Sequence, residues 1–437
     1  MSVDEVHEPS TAEASAERSR AALQRYGARL RPWRIGYAIA LVLVVAVVVV
    51  VVRIAYSHGE ISHATLRTVK APPPSVALKT PSQSLTPLWR SADRTAIGTP
   101  YWGGTVITYG AHGVRGRDAR TGAVTWSYTR NDRIVCQAAQ LQGVTIAIFQ
   151  VNGNCDELTA LDSNTGARKW TRTLDKDGHE LNGTPAYDVT PYTLMLTTPS
   201  VIYAVEPVGG LDRWVFGQQG CTIRGAVLGS SGALISQSCT RPNCTDVKFC
   251  GPGQQLLLRD STAPENTDSS SNKGNPDQIK WNLLGDTRRA GTADQVVSAL
   301  DSAADTLDVL DPAKGSAIVR LSLGSPPTGI AVTIPTAQGD VLWVAGVAYA
   351  IDQGATAFTW TAAASSPPTV TSTNNSVTPD LQASVMAVPT AGGIALLDPR
   401  DGRVARTFSV AAPAPGSLVY PLGTGFVIAG PSTTVYR

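Results

Sequence analysis

Apolar and polar positions alternate along this chain in two different ways. From Ile35 to Val52 the residues are uncharged and mostly apolar, ending in an unbroken valine run from Val47 to Val52. At helical rise the run covers roughly 27 Å, close to the hydrocarbon thickness of a bilayer. Trp33 and Tyr56 flank it where interfacial aromatics sit, and the stem of Arg53 is long enough to snorkel. The pattern predicts one transmembrane helix over residues 35–56, with Ile35–Ile54 in contact with the membrane. Arg18, Arg20, Arg25, Arg29, Arg31 and Arg34 crowd the preceding tail, whereas only Arg53, Arg67 and Lys70 follow closely. The positive-inside asymmetry predicts a cytoplasmic tail at 1–34 and an extracytoplasmic remainder. A cleaved signal peptide fits less well, because the run is too long.

Beyond the run no segment sustains a helical period, and short alternating strands take over. One unit recurs: a strand, an acid, a glycine turn and a strand bearing tryptophan. It reads RDARTGAVTW at 117–126, LDSNTGARKW at 161–170 and VEPVGGLDRW at 205–214. Looser copies carry Asp260 with Trp281, Asp311, Asp352 with Trp360, and Asp398. A repeat of about 46 residues with strand alternation predicts four-stranded blades of an all-β propeller. Leu85 to Arg90 is a lone Trp-bearing strand, and Ser417 to Arg437 offers three strands without a fourth. Joined, they complete an eighth blade and remove two open sheet edges; seven blades is the fallback count. The geometry assigns Trp89, Trp126, Trp170, Trp214, Trp281 and Trp360 to blade docking, each ring stacking on the neighbouring blade's turn.

The remaining organisation follows from composition. Residues 57–80 include Pro72, Pro73 and Pro74 and read as an extended extracytoplasmic stalk, leaving 81–437 for the propeller. Asp260 to Asn275 and Ser365 to Pro379 read as polar loops. With 36 Lys+Arg against 34 Asp+Glu and a net charge of +2, the chain is no nucleic-acid binder working by bulk electrostatics. All six cysteines, Cys136, Cys155, Cys221, Cys239, Cys244 and Cys250, follow the apolar run. An even count on the oxidising side predicts disulfides rather than thiols. Near-equal spacings suggest Cys136–Cys155 and Cys221–Cys239 as one hairpin stapled in two successive repeats, with Cys244–Cys250 closing a short loop. Zinc is the rival reading, but there is no CxxC pair and no adjacent histidine.

The DxxTGxxxW unit resembles the repeat of pyrroloquinoline-quinone-like propellers, strongly in the first three copies and weakly in the last four. The resemblance implies eight blades docked through tryptophans. It points to membrane-anchored bacterial members that lack the quinoprotein site. The dehydrogenases of that family would imply a vicinal cysteine disulfide, a calcium ion and an aspartate base, and no two cysteines here are adjacent. The resemblance extends to the outer-membrane assembly lipoprotein of Gram-negative bacteria, which uses this fold as an adaptor.

Other chemistry is sparse. His112 and His179 are the only histidines beyond the stalk, and no GxSxG motif accompanies them. Asp175 to Glu180 gathers polar groups without EF-hand spacing. The expected function is a non-catalytic binding scaffold in the cell envelope, without cofactor or metal, whose partner is a protein or envelope polymer. Tyr101 and Trp102 are candidate contact aromatics. The competing expectation is a quinone-dependent oxidoreductase.

Overall fold

The computed structural model describes residues 37, 39–49, 60–76, 84–240 except 177–178 and 219, 253–261, 278–371 except 287, 302, 325–331, 337–338 and 353, and 385–437 except 415. The chain divides into two units, Met1–Ala64 and Thr65–Arg437. The expected cytoplasmic tail lies outside the described residues.

The expected membrane span is corrected here. Among the described residues, no helix is long and apolar enough to cross a membrane. Residues 39–49 are helical, but crossing the hydrocarbon layer takes about 20 helical residues. The other residues of Ile35–Ile54 fall outside the description, Tyr37 apart. The transmembrane helix, the membrane as a partner, the single-pass topology and the cytoplasmic N-terminus are therefore not supported. The helical stretch is rich in β-branched valine, which satisfies a hydropathy count while being a poor helix former.

The larger unit is an eight-bladed propeller of antiparallel four-stranded sheets, with Ile97–Gly98 added in parallel beside the first strand of blade 2. Blade 1 runs through Thr105–Gly110, Gly113–Asp118 and Val124–Arg130, with Arg94–Thr95 inside them. Blade 2 is Val135–Leu141, Val144–Val151, Asn154–Asp162 and Arg168–Thr173. Blade 3 spans Ala186–Thr190 to Asp212–Phe216, and blade 4 spans Cys221–Gly229 to Ile279–Leu284. Blade 5 spans Arg289–Ala293 to Ala317–Ser322, blade 6 Val332–Pro335 to Trp360–Ala363, and blade 7 Thr369–Thr371 to Val404–Ser409.

Blade 8 is composite. Leu418–Leu422, Gly425–Ala429 and Thr433–Tyr436 take their fourth strand from Pro87–Ser91. Thr86 and Arg437 exchange main-chain hydrogen bonds of 2.8 and 2.9 Å at the join. Closure pairs edges that would otherwise template aggregation.

The core is a ring of clusters between neighbouring sheets. Blades 2 and 3 share Ile146, Leu158, Leu194 and Tyr203, all fully buried. Blades 7 and 8 share Phe408 and Phe426, with ring centroids 5.3 Å apart and edge-on. Both faces of each sheet are covered by other blades, so the strands read as apolar runs at their centres.

Residues 65–76 lie along the propeller. The strand Ala64–Arg67 adds to the outer edge of blade 1 beside Val124–Arg130. Val69 N–H then donates to the Thr165 carbonyl of blade 2 at 3.0 Å, and Val76 N–H to the Gly103 carbonyl at 3.2 Å. Gly104 has no room for a Cβ because the Pro74 carbonyl sits against it.

Candidate functional site

The repeated unit builds one contact over and over. After the third strand of blade 1, Asp118 Oδ1 accepts hydrogen bonds from the main-chain N–H groups of Arg120 (2.8 Å) and Thr121 (3.0 Å). Asp162 does the same for Asn164 and Thr165, Asp311 for Ala313 and Lys314, and Glu206 for Val208 and Gly209. A short carboxylate side chain mimics the backbone of a turn and fixes its shape. The glycine that ends the turn has positive φ: 72° at Gly122 and 73° at Gly166.

Each turn faces a tryptophan from the preceding blade. Trp89 Nε1–H donates to the Ala119 carbonyl, Trp126 to Ser163, Trp170 to Pro207, Trp214 to Ser261, Trp281 to Pro312 and Trp360 to Pro399, at 2.9 to 3.2 Å. In every case the acceptor directly follows the acid. The ring covers the glycine: a Cβ on Gly166 would fall 2.7 Å from the Trp126 ring, and one on Gly122 2.7 Å from Trp89. Trp126 and Trp214 are fully buried. A β-bulge recurs beside the tryptophan, between Gly116 and Arg117, Ala160 and Leu161, and Ala204 and Val205. Bulges of this kind re-aim a side chain, here from its own sheet toward the next.

Two interfaces carry no such tryptophan. Val319 of blade 5 and Arg406 of blade 7 stand at the equivalent register positions. Val319 packs against the same buried cluster as Tyr349 and Phe358, whose ring centroids are 5.4 Å apart. The Arg406 guanidinium lies 5.9 Å from the Phe408 ring centroid.

Charged side chains add to the rim. Arg130 of blade 1 is buried and binds Glu157 of blade 2 at 2.8 Å as well as Asp132. Arg172 of blade 2 reaches Asp212 and the Gly210 carbonyl of blade 3. Arg259 of blade 4 stacks 4.2 Å from the Trp214 ring centroid of blade 3. Burial alone would raise the Asp93 carboxyl, but hydrogen bonds and charge from Arg117 and Arg115 outweigh it and hold it below its usual range.

Three further carboxylates near the inner strands escaped the sequence reading. Asp188 of blade 3 accepts from Leu228 N–H of blade 4 at 2.6 Å. Asp294 accepts from Ser230 N–H at 2.8 Å, and Asp340 of blade 6 from Val296 N–H of blade 5 at 2.7 Å. Burial pushes Asp188 and Asp340 up to about 7, and Asp294 upward as well. Their only sequence signal is a single acid set among apolar strand residues.

The disulfides are not equivalent. Cys136–Cys155 joins the first and third strands of blade 2, over the end of the strand between them. Cys221–Cys239 joins directly paired residues of the first two strands of blade 4. Blade 3, between them, has neither bridge. Cys244 and Cys250 lie outside the described residues. Tyr101 is buried, which pushes its hydroxyl up to about 12. The Trp102 ring covers Gly143. Among the described residues, no group of three or more His, Cys, Asp or Glu side chains could hold a metal ion.

These features define a closed eight-bladed propeller whose repeated chemistry is spent on joining blades. The family model described as outer membrane protein assembly factor BamB matches residues 82–219 and 253–419. The chain belongs to this pyrroloquinoline-quinone-like, BamB-type propeller family. No curated protein matches the chain significantly. Among solved structures it is similar to BamB from Moraxella catarrhalis, at 13% identity over 81% of this chain and 97% of that one, with a TM-score of 0.42. It is also similar to a europium-containing methanol dehydrogenase, at 12% identity over 79% and 84% with a TM-score of 0.44. The C-terminal WD40 domain of Sif2 is 9% identical over 81% and 98%, with a TM-score of 0.46. The family assignment rests on the sequence match, not on these likenesses.

Proposed function

We propose that the chain is a non-catalytic scaffold: a rigid propeller that presents its inter-blade loops to a protein partner in an oxidising, extracytoplasmic compartment. The observation that carries this reading is the division of labour in the chain. Its rim contacts repeat from blade to blade, while the connections between blades differ in length and composition. Varied loops on a rigid frame are how propellers and sandwiches recognise partners. The two disulfides fit an oxidising compartment. Membership of a family described as an assembly factor supports the same role. In this reading the six tryptophans dock the blades and hold the presenting surface in shape.

Cross-linking of the full chain in its native cells, followed by mass spectrometry, tests the proposal. A reproducible protein partner, cross-linked through loops on one face, is the expected result. Dye reduction by protein loaded with pyrroloquinoline quinone and calcium would instead establish an oxidoreductase and overturn the reading.

A further inference from the structure

A cavity of about 390 Å³ opens at the closure seam, a size within the range of small-molecule sites. Four separate stretches wall it: Ser75 and Val76, the closing strand at Leu88, the blade 1 turn at Arg120, and the blade 8 strands at Leu422 and from Val435 to Arg437. Aliphatic and polar side chains share these walls, and Leu88 remains 41% exposed.

One side chain at this seam is opposite in charge to its counterparts in the other blades. Val435 pairs with Trp89, as Gly116 pairs with Trp126 and Ala160 with Trp170. Two residues further on, those blades carry Asp118 and Asp162, which cap their turns. At the seam that position is Arg437. Thr86 and Arg437 meet there through main-chain hydrogen bonds, so no turn N–H groups need a side-chain cap. Arg120 lines the same cavity, and its main-chain N–H is already held by Asp118. Among the described residues, neither guanidinium has an ion pair or side-chain hydrogen bond.

We propose that this cavity binds an anionic amphiphile, an apolar chain with one acidic head group. The two guanidiniums, unpaired among the described residues, offer charge-assisted hydrogen bonds to a carboxylate or phosphate. The aliphatic walls remove an apolar chain from water at roughly 25 cal/mol per Å² of buried area. Both side chains are exposed to water, so a neutral chain would forgo these bonds, and a small inorganic anion would leave the aliphatic part of the lining unused. The site goes beyond the scaffold role and needs no partner protein.

Isothermal titration of the full chain with dodecanoate, dodecyl phosphate and dodecanol, below their micelle thresholds, tests this. Saturable binding of at least one acid below about 1 mM is expected, with dodecanol at least about tenfold weaker. The Arg120→Gln/Arg437→Gln double variant is expected to lose about tenfold or more in affinity at an unchanged thermal midpoint. Leu88→Glu places a carboxylate at the exposed wall and is expected to weaken binding as well, which keeps the test decisive if the double variant fails to fold. No saturable binding up to about 1 mM, equal affinity in the variants, or dodecanol binding as tightly as the acids would overturn the proposal. Whichever acid binds more tightly identifies the head group.

Discussion

The interface between blades 1 and 2 and that between blades 5 and 6 share a backbone plan and are filled differently. Both follow a β-bulge between the third and fourth strands, at Gly116/Arg117 in blade 1 and Val309/Leu310 in blade 5. In the first, the buried Trp126 donates to the Ser163 carbonyl and covers Gly166, while Arg130 binds Glu157 across the gap. In the second, Val319 stands in the tryptophan's place and packs on the same cluster as Tyr349 and Phe358, and Asp340 holds the Val296 N–H. The bulge and turn therefore set where blades meet, and the side chain sets how much each meeting contributes. A large flat ring with one polar handle supplies both area and direction, whereas valine supplies area alone.

Removing the ring should produce the largest loss. Trp126→Ala is expected to destabilise the propeller by about 3–5 kcal/mol, read as a shift in the chemical-denaturation midpoint, whereas Val319→Ala should cost about 1 kcal/mol. Equal losses would mean that the indole contributes no more than bulk. Next in size is the bridge behind the first interface. Replacing Cys136 and Cys155 by serine should cost about 2–4 kcal/mol, and a reducing agent should lower the wild-type midpoint by more than the variant's, which keeps Cys221–Cys239.

The turn glycines sharpen the contrast further. Gly166 and Gly354 both have positive φ, 73° and 77°. Only Gly166 lies under an indole; a Cβ at Gly354 meets nothing within 4 Å. Gly354→Ala should cost about 1 kcal/mol of backbone strain, and Gly166→Ala clearly more, because the ring must also move.

A separate contrast is the pH dependence of the inner carboxylates. Asp188 and Asp340 titrate near 7 when folded because burial penalises their charge, against about 3.9 for an ordinary aspartate. Between these values the folded state binds more protons than the unfolded one, so stability falls as pH rises from about 4 to about 7. Asp340→Asn should flatten part of that slope in thermal melts across the range. Asp93 and Asp308 are lowered and act in the opposite sense, at pH values below the usual carboxylate range.

The parts of this architecture that could be read from the chain are those with local chemistry. The acid, glycine and tryptophan of 117–126 and 161–170 lie within one turn and its following strand, so their spacing survives in sequence. The composite blade was legible for the same reason: Leu85 to Arg90 lacked three strands and the C-terminal stretch lacked one. Contacts between distant segments left no such trace. Nothing in ATLR marks it as a strand for the edge of blade 1, and the partnerships of Arg130 with Glu157 and of Asp340 with Val296 join different blades. The cysteine spacings were near-equal, yet one bridge passes over a strand and the other joins neighbours, because spacing does not specify register. The apolar run at Ile35 satisfies a hydropathy count, yet no helix among the described residues is long and apolar enough to cross a membrane.

The central claim is that the chain closes its own ring by pairing Pro87–Ser91 with Thr433–Tyr436. Arg90 and Thr434 are register partners in blade 8. Peptide mapping of the oxidised Arg90→Cys/Thr434→Cys variant tests this directly. Closure predicts an intramolecular disulfide joining positions 90 and 434 in the monomer. Free thiols at both positions, or bridges only between molecules, would contradict it.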